Sequence, residues 1–114
     1  MAFSLNTRKI GAVIILDMSG RLVAGDPALA LRAAVRGAVE EGERKFVFNL
    51  GDINHIDSSG LGELITCYTT IRNRGGDVRL LKLTAKAKDL MQMTKLLTVF
   101  EAFDDEQRAL DSLH

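Results

Sequence analysis

A short apolar run at residues 46–50 constrains the fold of this chain more than any other feature of its sequence. The run contains two phenylalanines, a β-branched residue and a single polar side chain, Asn49. A strand with so little polar surface must be buried on both faces, which is typical of the centre of a parallel sheet covered by helices. The run therefore predicts an α/β fold with residues 46–50 as a central strand.

Strand and helix patterns alternate on either side of this run. Residues 3–8 alternate apolar and polar side chains, and a more buried strand follows after a short turn, so the two predict a hairpin. The predicted strands are residues 3–8, 12–18, 46–50, 78–83 and 98–103, and residues 19–25 are predicted to be a loop. The order β-β-α-β-α-β-α-β-α predicts a single domain over residues 1–114. It is an α/β domain with four helices and a mixed, mostly parallel sheet that opens on a β-hairpin.

Three of the predicted helices have recognisable start signals. Asp26 is expected to cap the first helix, with Pro27 at the first helical position. Thr84 is expected to cap the third helix. Asp104, with Gln107 three positions later, matches a capping box for the last helix.

Charge and cysteine content exclude several classes of function. The 114 residues carry 15 basic and 15 acidic side chains without a run of like charges, so neither nucleic acid nor a membrane is expected as a partner. Cys67 is the only cysteine and cannot form an internal disulfide, so we expect a buried, unreactive thiol in a reducing compartment. The N-terminus lacks a signal-peptide pattern, and the longest apolar run is too short to span a bilayer. These features predict a cytoplasmic protein.

The residues that follow the central strand combine a carboxylate, two hydroxyls and two glycines. They are Asp57, Ser58, Ser59, Gly60 and Gly62, at a junction that leads into a helix predicted to start at about residue 58. A helix start presents unpaired backbone amides and the positive end of the helix dipole, so it favours a capping oxygen or a phosphate. Two interpretations fit this pattern. Either Asp57 and the serines merely cap the helix, or Ser58 is a phosphorylatable switch on a protein-interaction domain.

Catalytic templates fit this junction poorly. A nucleophile elbow requires Gly-x-Ser-x-Gly, but Ile56 and Asp57 precede the serines, and neither His55 nor His114 comes with an evident orienting acid. A dinucleotide fingerprint would need a glycine where Ile65 stands, and no P-loop lysine is present. One cysteine and two separated histidines give no metal-ligand spacing. No catalytic residue, metal or cofactor is therefore predicted.

The string Asp57-Ser58-Ser59-Gly60-Leu61-Gly62, with Asn49-Leu50 before it, resembles the STAS domain family, specifically its bacterial anti-sigma factor antagonists. The resemblance runs from about residue 5 to residue 113. It extends to the glycine pair at residues 75–76 and to the sequence Leu-Thr-Ala-Lys-Ala-Lys-x-Leu that opens the third helix.

This resemblance implies a function by partner switching. In that family the unphosphorylated protein binds an anti-sigma factor, which frees a sigma factor for transcription. The anti-sigma factor is also a serine kinase with its own ATP and magnesium, and it phosphorylates the serine after the aspartate, which is Ser58 here. A PP2C-type phosphatase reverses the reaction. The residues that would shape the loop and contact the partner are Asp57, Ser59, Gly60, Leu61 and Gly62.

The chain departs from the family pattern after the second strand. Relatives often carry Gly-Glu-Leu-Asp there, with the aspartate on the partner-binding surface, whereas this chain has Gly-Arg-Leu-Val at residues 20–23. The next acid is Asp26, which is therefore a candidate partner-binding residue where Val23 cannot serve. STAS domains also act as scaffolds or regulatory subunits of stress-signalling and lipid-transport complexes, and that role is the alternative to a phosphorylation switch.

Overall fold

One five-stranded sheet, in the order β1-β2-β3-β4-β5, organises the computed structural model, which describes residues 2–95 and 100–113. The strands are β1 Ser4–Ile10, β2 Val13–Leu22, β3 Lys45–Ile56, β4 Asp77–Leu81 and β5 Glu101–Phe103. The helices are α1 Asp26–Glu40, α2 Ser58–Asn73, α3 Ala85–Met93 and α4 Glu106–Asp111. The element order and the opening hairpin are as predicted.

The topology decides where the helices lie. β1 and β2 are antiparallel, and every other neighbouring pair is parallel. Because the strands follow one another in sequence order, right-handed crossovers carry α1, α2 and α3 to the same face of the sheet. Residues of all three helices accordingly join one apolar core, whereas α4 packs against a smaller core on the opposite face.

The central strand is buried on both faces, as its apolar composition predicts. In β3, Phe46, Phe48 and Leu50 point into the larger core beneath the three helices, and Val47 points into the smaller core. This alternation follows from the two-residue period of a strand.

β2 and β3 are both longer than predicted. β2 continues to Leu22, so the prediction of a loop from residue 19 is wrong over its first four residues. The strand remains paired with β3 through two register irregularities, between Asp17 and Ser19 and between Gly20 and Arg21. Gly20 has a φ of 90°, a backbone conformation that would be strained in a residue with a side chain. The conformational freedom of glycine therefore allows the strand to continue past this irregularity.

Two predicted helix caps are wrong by one position. Gly25 is the N-cap of α1, so Asp26 is its first helical residue and makes no capping hydrogen bond. Asp105, not Asp104, caps α4 by accepting a hydrogen bond from the Arg108 amide at 3.0 Å. The reason for the first shift is that Gly25, at a φ of 92°, turns the chain one residue early.

Other predicted boundaries have mixed outcomes. Thr84 caps α3 as predicted, by accepting a hydrogen bond from the Ala87 amide at 3.2 Å. β4 ends at Leu81 rather than residue 83, because Lys82 adopts a φ of 58° that no strand accommodates. Of the strand predicted at residues 98–103, residues 98 and 99 lie outside the described residues, and β5 occupies 101–103.

Candidate functional site

The junction between β3 and α2 is held by Asp57. Its backbone is extended, and its Oδ1 atom accepts a hydrogen bond from the Gly60 amide at 2.9 Å. Its carbonyl oxygen accepts a second bond from the Leu61 amide at 3.0 Å. Asp57 is therefore the N-cap of α2: its carbonyl accepts the first intrahelical bond, and its side chain satisfies one of the four amides that a helix start leaves unpaired.

Ser58 and Ser59 occupy the first two positions of α2, and both are exposed. Within residues 2–95 and 100–113, the structure gives neither hydroxyl a hydrogen-bond partner. Since Asp57 alone provides the cap, the serines are not needed for that purpose. Their hydroxyls are free to react with, or bind to, another molecule.

The two glycines of the junction have different surroundings. A Cβ atom on Gly60 would lie 2.0 Å from the carbonyl oxygen of Leu22, so only glycine allows α2 to approach the end of β2 this closely. A Cβ atom on Gly62 would have nothing within 4 Å. Leu61, between them, is buried in the main core. Gly60 and Leu61 therefore fix the helix against the sheet, while Gly62 leaves open space on its surface.

The contact between Gly60 and Leu22 brings the loop after β2 next to the start of α2. Val23, the residue after Leu22, is half-buried, and Asp26 is exposed. Leu29 follows three residues after Asp26 and is 55% exposed, a large fraction for a leucine. Residues three apart lie along the same side of a helix. Asp26 and Leu29 therefore share an exposed side of α1.

An ion pair between α1 and α2, which the sequence analysis missed, fixes the two helices side by side. The Arg32 guanidinium donates to both carboxylate oxygens of Glu63, at 2.7 and 3.3 Å. The Glu63 carboxylate also accepts a bond from the Cys67 thiol at 3.7 Å. Glu63 is only 5% exposed, so this pairing is needed to keep its charge inside the protein. The sequence contains one signal for this ion pair, because a charged residue, Glu63, stands among the regularly spaced apolar residues of α2.

Cys67 is buried, as predicted. Burial, together with the adjacent carboxylate of Glu63, raises the pKa of the Cys67 thiol to about 12. The thiolate is the reactive form of cysteine, so this side chain is inert near neutral pH.

The junction has no partner groups for serine catalysis among the residues that the structure describes. His55 is exposed, and no hydrogen bond joins it to Ser58 or Ser59. No cluster of three or more His, Cys, Asp or Glu side chains in the described ranges is placed to hold a metal ion. None of the described helices combines the length and the apolar character needed to cross a bilayer.

The fold is that of a known protein family. The model of the STAS domain matches residues 4–109, which includes the sheet, the junction and most of α4. The chain belongs to the STAS domain family.

A curated relative of this STAS domain comes from Bordetella bronchiseptica and is named as a candidate anti-sigma factor antagonist, BtrV. It is 26% identical over 105 residues, which cover 92% of this chain and 90% of that protein. It is named as an antagonist of another protein and not as an enzyme.

Solved structures have the same fold as this STAS domain. A candidate anti-sigma factor antagonist from Thermotoga maritima superposes with a TM-score of 0.88 at 22% identity, over 96% of this chain and 93% of that one. The anti-sigma factor antagonist SpoIIAA in its unphosphorylated form gives 0.73 at 21% identity, over 97% and 96% of the two chains. SpoIIAA of Bacillus in its phosphorylated form gives 0.74 at 20% identity, over 97% and 98%. At such identities the likeness establishes the fold.

Proposed function

We propose that this STAS domain is an anti-sigma factor antagonist whose binding to an anti-sigma factor is switched off by phosphorylation of Ser58. One observation carries the proposal: the Ser58 hydroxyl is exposed and unbonded at the first position of α2, directly after the residue that caps the helix. The names of the curated relative and of the structural neighbours support the kind of partner. The phosphorylated form of SpoIIAA supports phosphate as the signal.

The start of α2 can carry a phosphate without loss of the fold. The positive end of a helix dipole and the unpaired amides of the first turn favour an anion at this place. Asp57 keeps its hydrogen bond to the Gly60 amide in either state, because the cap does not involve the serine hydroxyl. Phosphorylation therefore changes the surface of the domain and not its core.

Ser58 suits this modification better than Ser59. Residues four apart stack on the same side of a helix, which places Gly62 after Ser58 and Glu63 after Ser59. Gly62 leaves open space beside Ser58, whereas the position after Ser59 is occupied by the side chain of Glu63 and its partner Arg32. The neighbouring amides and the open surface thus favour the first serine.

The docking face proposed for the partner surrounds Ser58. It consists of Val23, Asp26, Leu29, Ser58 and Gly62, which come from the loop after β2, from α1 and from α2. Gly62 lets another backbone approach closely, and Leu29 offers an exposed apolar contact. A phosphate would add nearly two negative charges next to Asp57 in the middle of this face. A cost of ~3–4 kcal/mol in binding would weaken the complex several hundred-fold.

The partner in this scheme is an anti-sigma factor with serine kinase activity, which supplies its own ATP and magnesium. A PP2C-type phosphatase removes the phosphate and restores binding. The STAS domain performs no chemistry itself, acts in the cytoplasm and uses the whole chain, residues 1–114, as one domain.

Three variants test the switch. Each is used to capture partner proteins from the native lysate, with and without added ATP. Wild type should retain an ATP-binding kinase that is released when ATP is added. Ser58→Ala should retain it in both conditions, and Ser58→Glu should fail to bind. Ser59→Ala is the matched control and should behave as wild type, with mass spectrometry locating phosphate on Ser58.

Two results would contradict the switch. One is that Ser58→Ala and wild type respond identically to ATP. The other is a stable large complex in which Ser58 never carries phosphate, and this result would favour the scaffold or regulatory-subunit role.

A further inference from the structure

A second surface with uneven charge lies at the edge of the sheet opposite Ser58. A cavity of about 300 Å³ is located where β3 and β4 begin and where α2 and α4 end. Ser58 follows the other end of β3, so the whole strand separates the two sites. The cavity is therefore distinct from the docking face.

Within the part of the chain that the structure describes, the charged side chains lining this cavity are four cations and one carboxylate. They are Arg44, Lys45, Arg72, Arg79 and Asp77. The Asp77 carboxylate is shared, at 2.9 Å from Arg79 and 3.5 Å from Arg72. The C-terminal end of α2 adds only about half a negative charge. Glu101, outside the cavity, also lies 3.2 Å from Arg79. The lining nevertheless keeps an excess of positive charge, carried mainly by Arg44 and Lys45.

Two of the cations have capacity left for a ligand. The Arg44 guanidinium uses one nitrogen, Nη1, to donate to the carbonyl oxygens of Val39 and Glu43 at 3.1 and 2.8 Å. Among the described residues, no acceptor is recorded for its other nitrogens or for the Lys45 ammonium. Arg44 is thus held in place by backbone atoms, and the other nitrogens of its guanidinium can still donate hydrogen bonds to a ligand.

The floor of the cavity is rigid. The Arg79 side chain is 12% exposed and donates to the hydroxyl and the carbonyl oxygen of Ser112, at 3.0 and 3.3 Å. These bonds connect the middle of β4 to the residue that follows α4. Cations fixed before a ligand arrives cost less ordering when it binds.

The composition of the lining limits the class of ligand. Among the described residues that line it, none carries an aromatic ring, and Leu113 is the only hydrophobic side chain. A nucleobase would have no ring to stack on, whereas guanidinium and ammonium groups recognise phosphate oxygens directly. We propose that this cavity binds a small phosphate-type oxyanion, of the size of inorganic phosphate or pyrophosphate, through Arg44, Lys45 and Arg72.

The proposal is tested by titrating the ¹⁵N-labelled full chain with inorganic pyrophosphate against sodium chloride of matched ionic strength. Saturable amide shifts are expected at Lys45, Gly75 and Gly76, and not around Ser58. The double variant Lys45→Gln/Arg72→Gln should raise the dissociation constant at least tenfold, because it removes two charged donors.

Arg74→Gln is the matched control. It removes one positive charge, against two in the double variant, at a position two residues from Arg72 but outside the cavity, so the dissociation constant should change less than twofold. An effect of Arg74→Gln as large as that of the double variant would contradict a defined site. Linear shifts spread over the surface, equal to those with chloride, would show an ion atmosphere only and would overturn the proposal. Binding of ADP more than tenfold tighter than pyrophosphate would reveal a base subsite and also contradict it.

Discussion

At the scale of single residues, Gly60 and Gly62 show how one short string can combine structural and functional requirements. Both glycines belong to the string that resembles the family, yet only Gly60 touches a neighbouring backbone. Gly60 is required by the fold, and Gly62 is available to a partner. The two requirements can be separated by substitution.

Alanine at the two positions should have opposite effects on stability. Gly60→Ala should lower the free energy of unfolding by about 3 kcal/mol, because its methyl group forces α2 away from the Leu22 carbonyl. Gly62→Ala should leave it unchanged or raise it by up to about 1 kcal/mol, because alanine favours an exposed helix position. Urea denaturation followed by circular dichroism measures both. Equal losses would contradict the close contact at Gly60.

Leu29 should contribute to binding and not to stability. It is more than half exposed, so Leu29→Ala should change the free energy of unfolding by less than about 0.5 kcal/mol. Affinity for the captured partner should fall about tenfold if Leu29 is an apolar anchor of the docking face. Ile10→Ala is the control, since Ile10 is a partly exposed apolar residue at the hairpin turn on the other edge of the sheet. Equal affinities for the Leu29→Ala and Ile10→Ala variants would exclude Leu29 from the interface.

The residues of the site were predictable to different degrees. Asp57, Ser58 and Gly60 follow one another in the chain, so the cap and the exposed hydroxyl could be inferred from local helix chemistry. The pairing of Arg32 with Glu63 could not, because it depends on how α1 and α2 lie against each other. Asp26 was predicted as a cap and is not one, because Gly25 caps the helix and Asp26 is its first residue.

At the scale of elements, a polar network on the face covered by α4 connects strands and helix. Asp17 on β2 accepts hydrogen bonds from Arg8 on β1 at 3.0 Å and from Asn49 on β3 at 2.8 Å. Arg8 also donates to Glu106 on α4 at 2.7 Å. One carboxylate thus joins three strands. The hydrogen bond from Asn49 to this carboxylate also explains why a polar residue interrupts the apolar run of the central strand.

This network makes stability depend on pH in acid. The hydrogen bond from Arg8 holds the pKa of the Asp17 carboxyl below its usual value. A pKa lowered by folding stabilises the protein above the ordinary value of about 4, and the contribution is lost as the pH falls below it. Asp17→Asn should therefore cost about 1 kcal/mol at pH 7, a modest figure because Arg8 is partly exposed.

Urea midpoints from pH 7 to pH 2.5 check this expectation. The difference between wild type and Asp17→Asn should shrink as the pH falls below about 4. A difference that stays constant over the whole range would mean that the charge of Asp17 does not stabilise the fold.

The extents of the strands were less predictable than their existence. β2 continues through Gly20 because it remains paired with β3, and no local pattern reports on a partner strand. The same pairing carries β3 on to Ile56 through polar residues that resemble a loop. The length of β3 matters for the proposed switch, since the end of this strand sets the position of Ser58.

At the scale of the whole molecule, the sequential strand order explains where the candidate sites lie. All three crossovers run in the same direction, so the described sheet has no reversal point with the crevice that doubly wound proteins use for cofactors. The parallel strands β2 and β3 instead deliver their C-terminal ends to one edge, where α1 and α2 begin. Alternation of strand and helix patterns was sufficient to predict this architecture, whereas the cationic cavity at the other edge depends on residues far apart in the chain.

The most direct test of the central claim is the affinity of the captured anti-sigma factor for two forms of this protein. One form is unmodified, and the other carries phosphoserine incorporated at position 58. Calorimetry should show binding at least a hundred-fold weaker for the phosphorylated form, while ¹⁵N spectra show the same fold in both. Equal affinities with phosphate present at Ser58 would contradict the account.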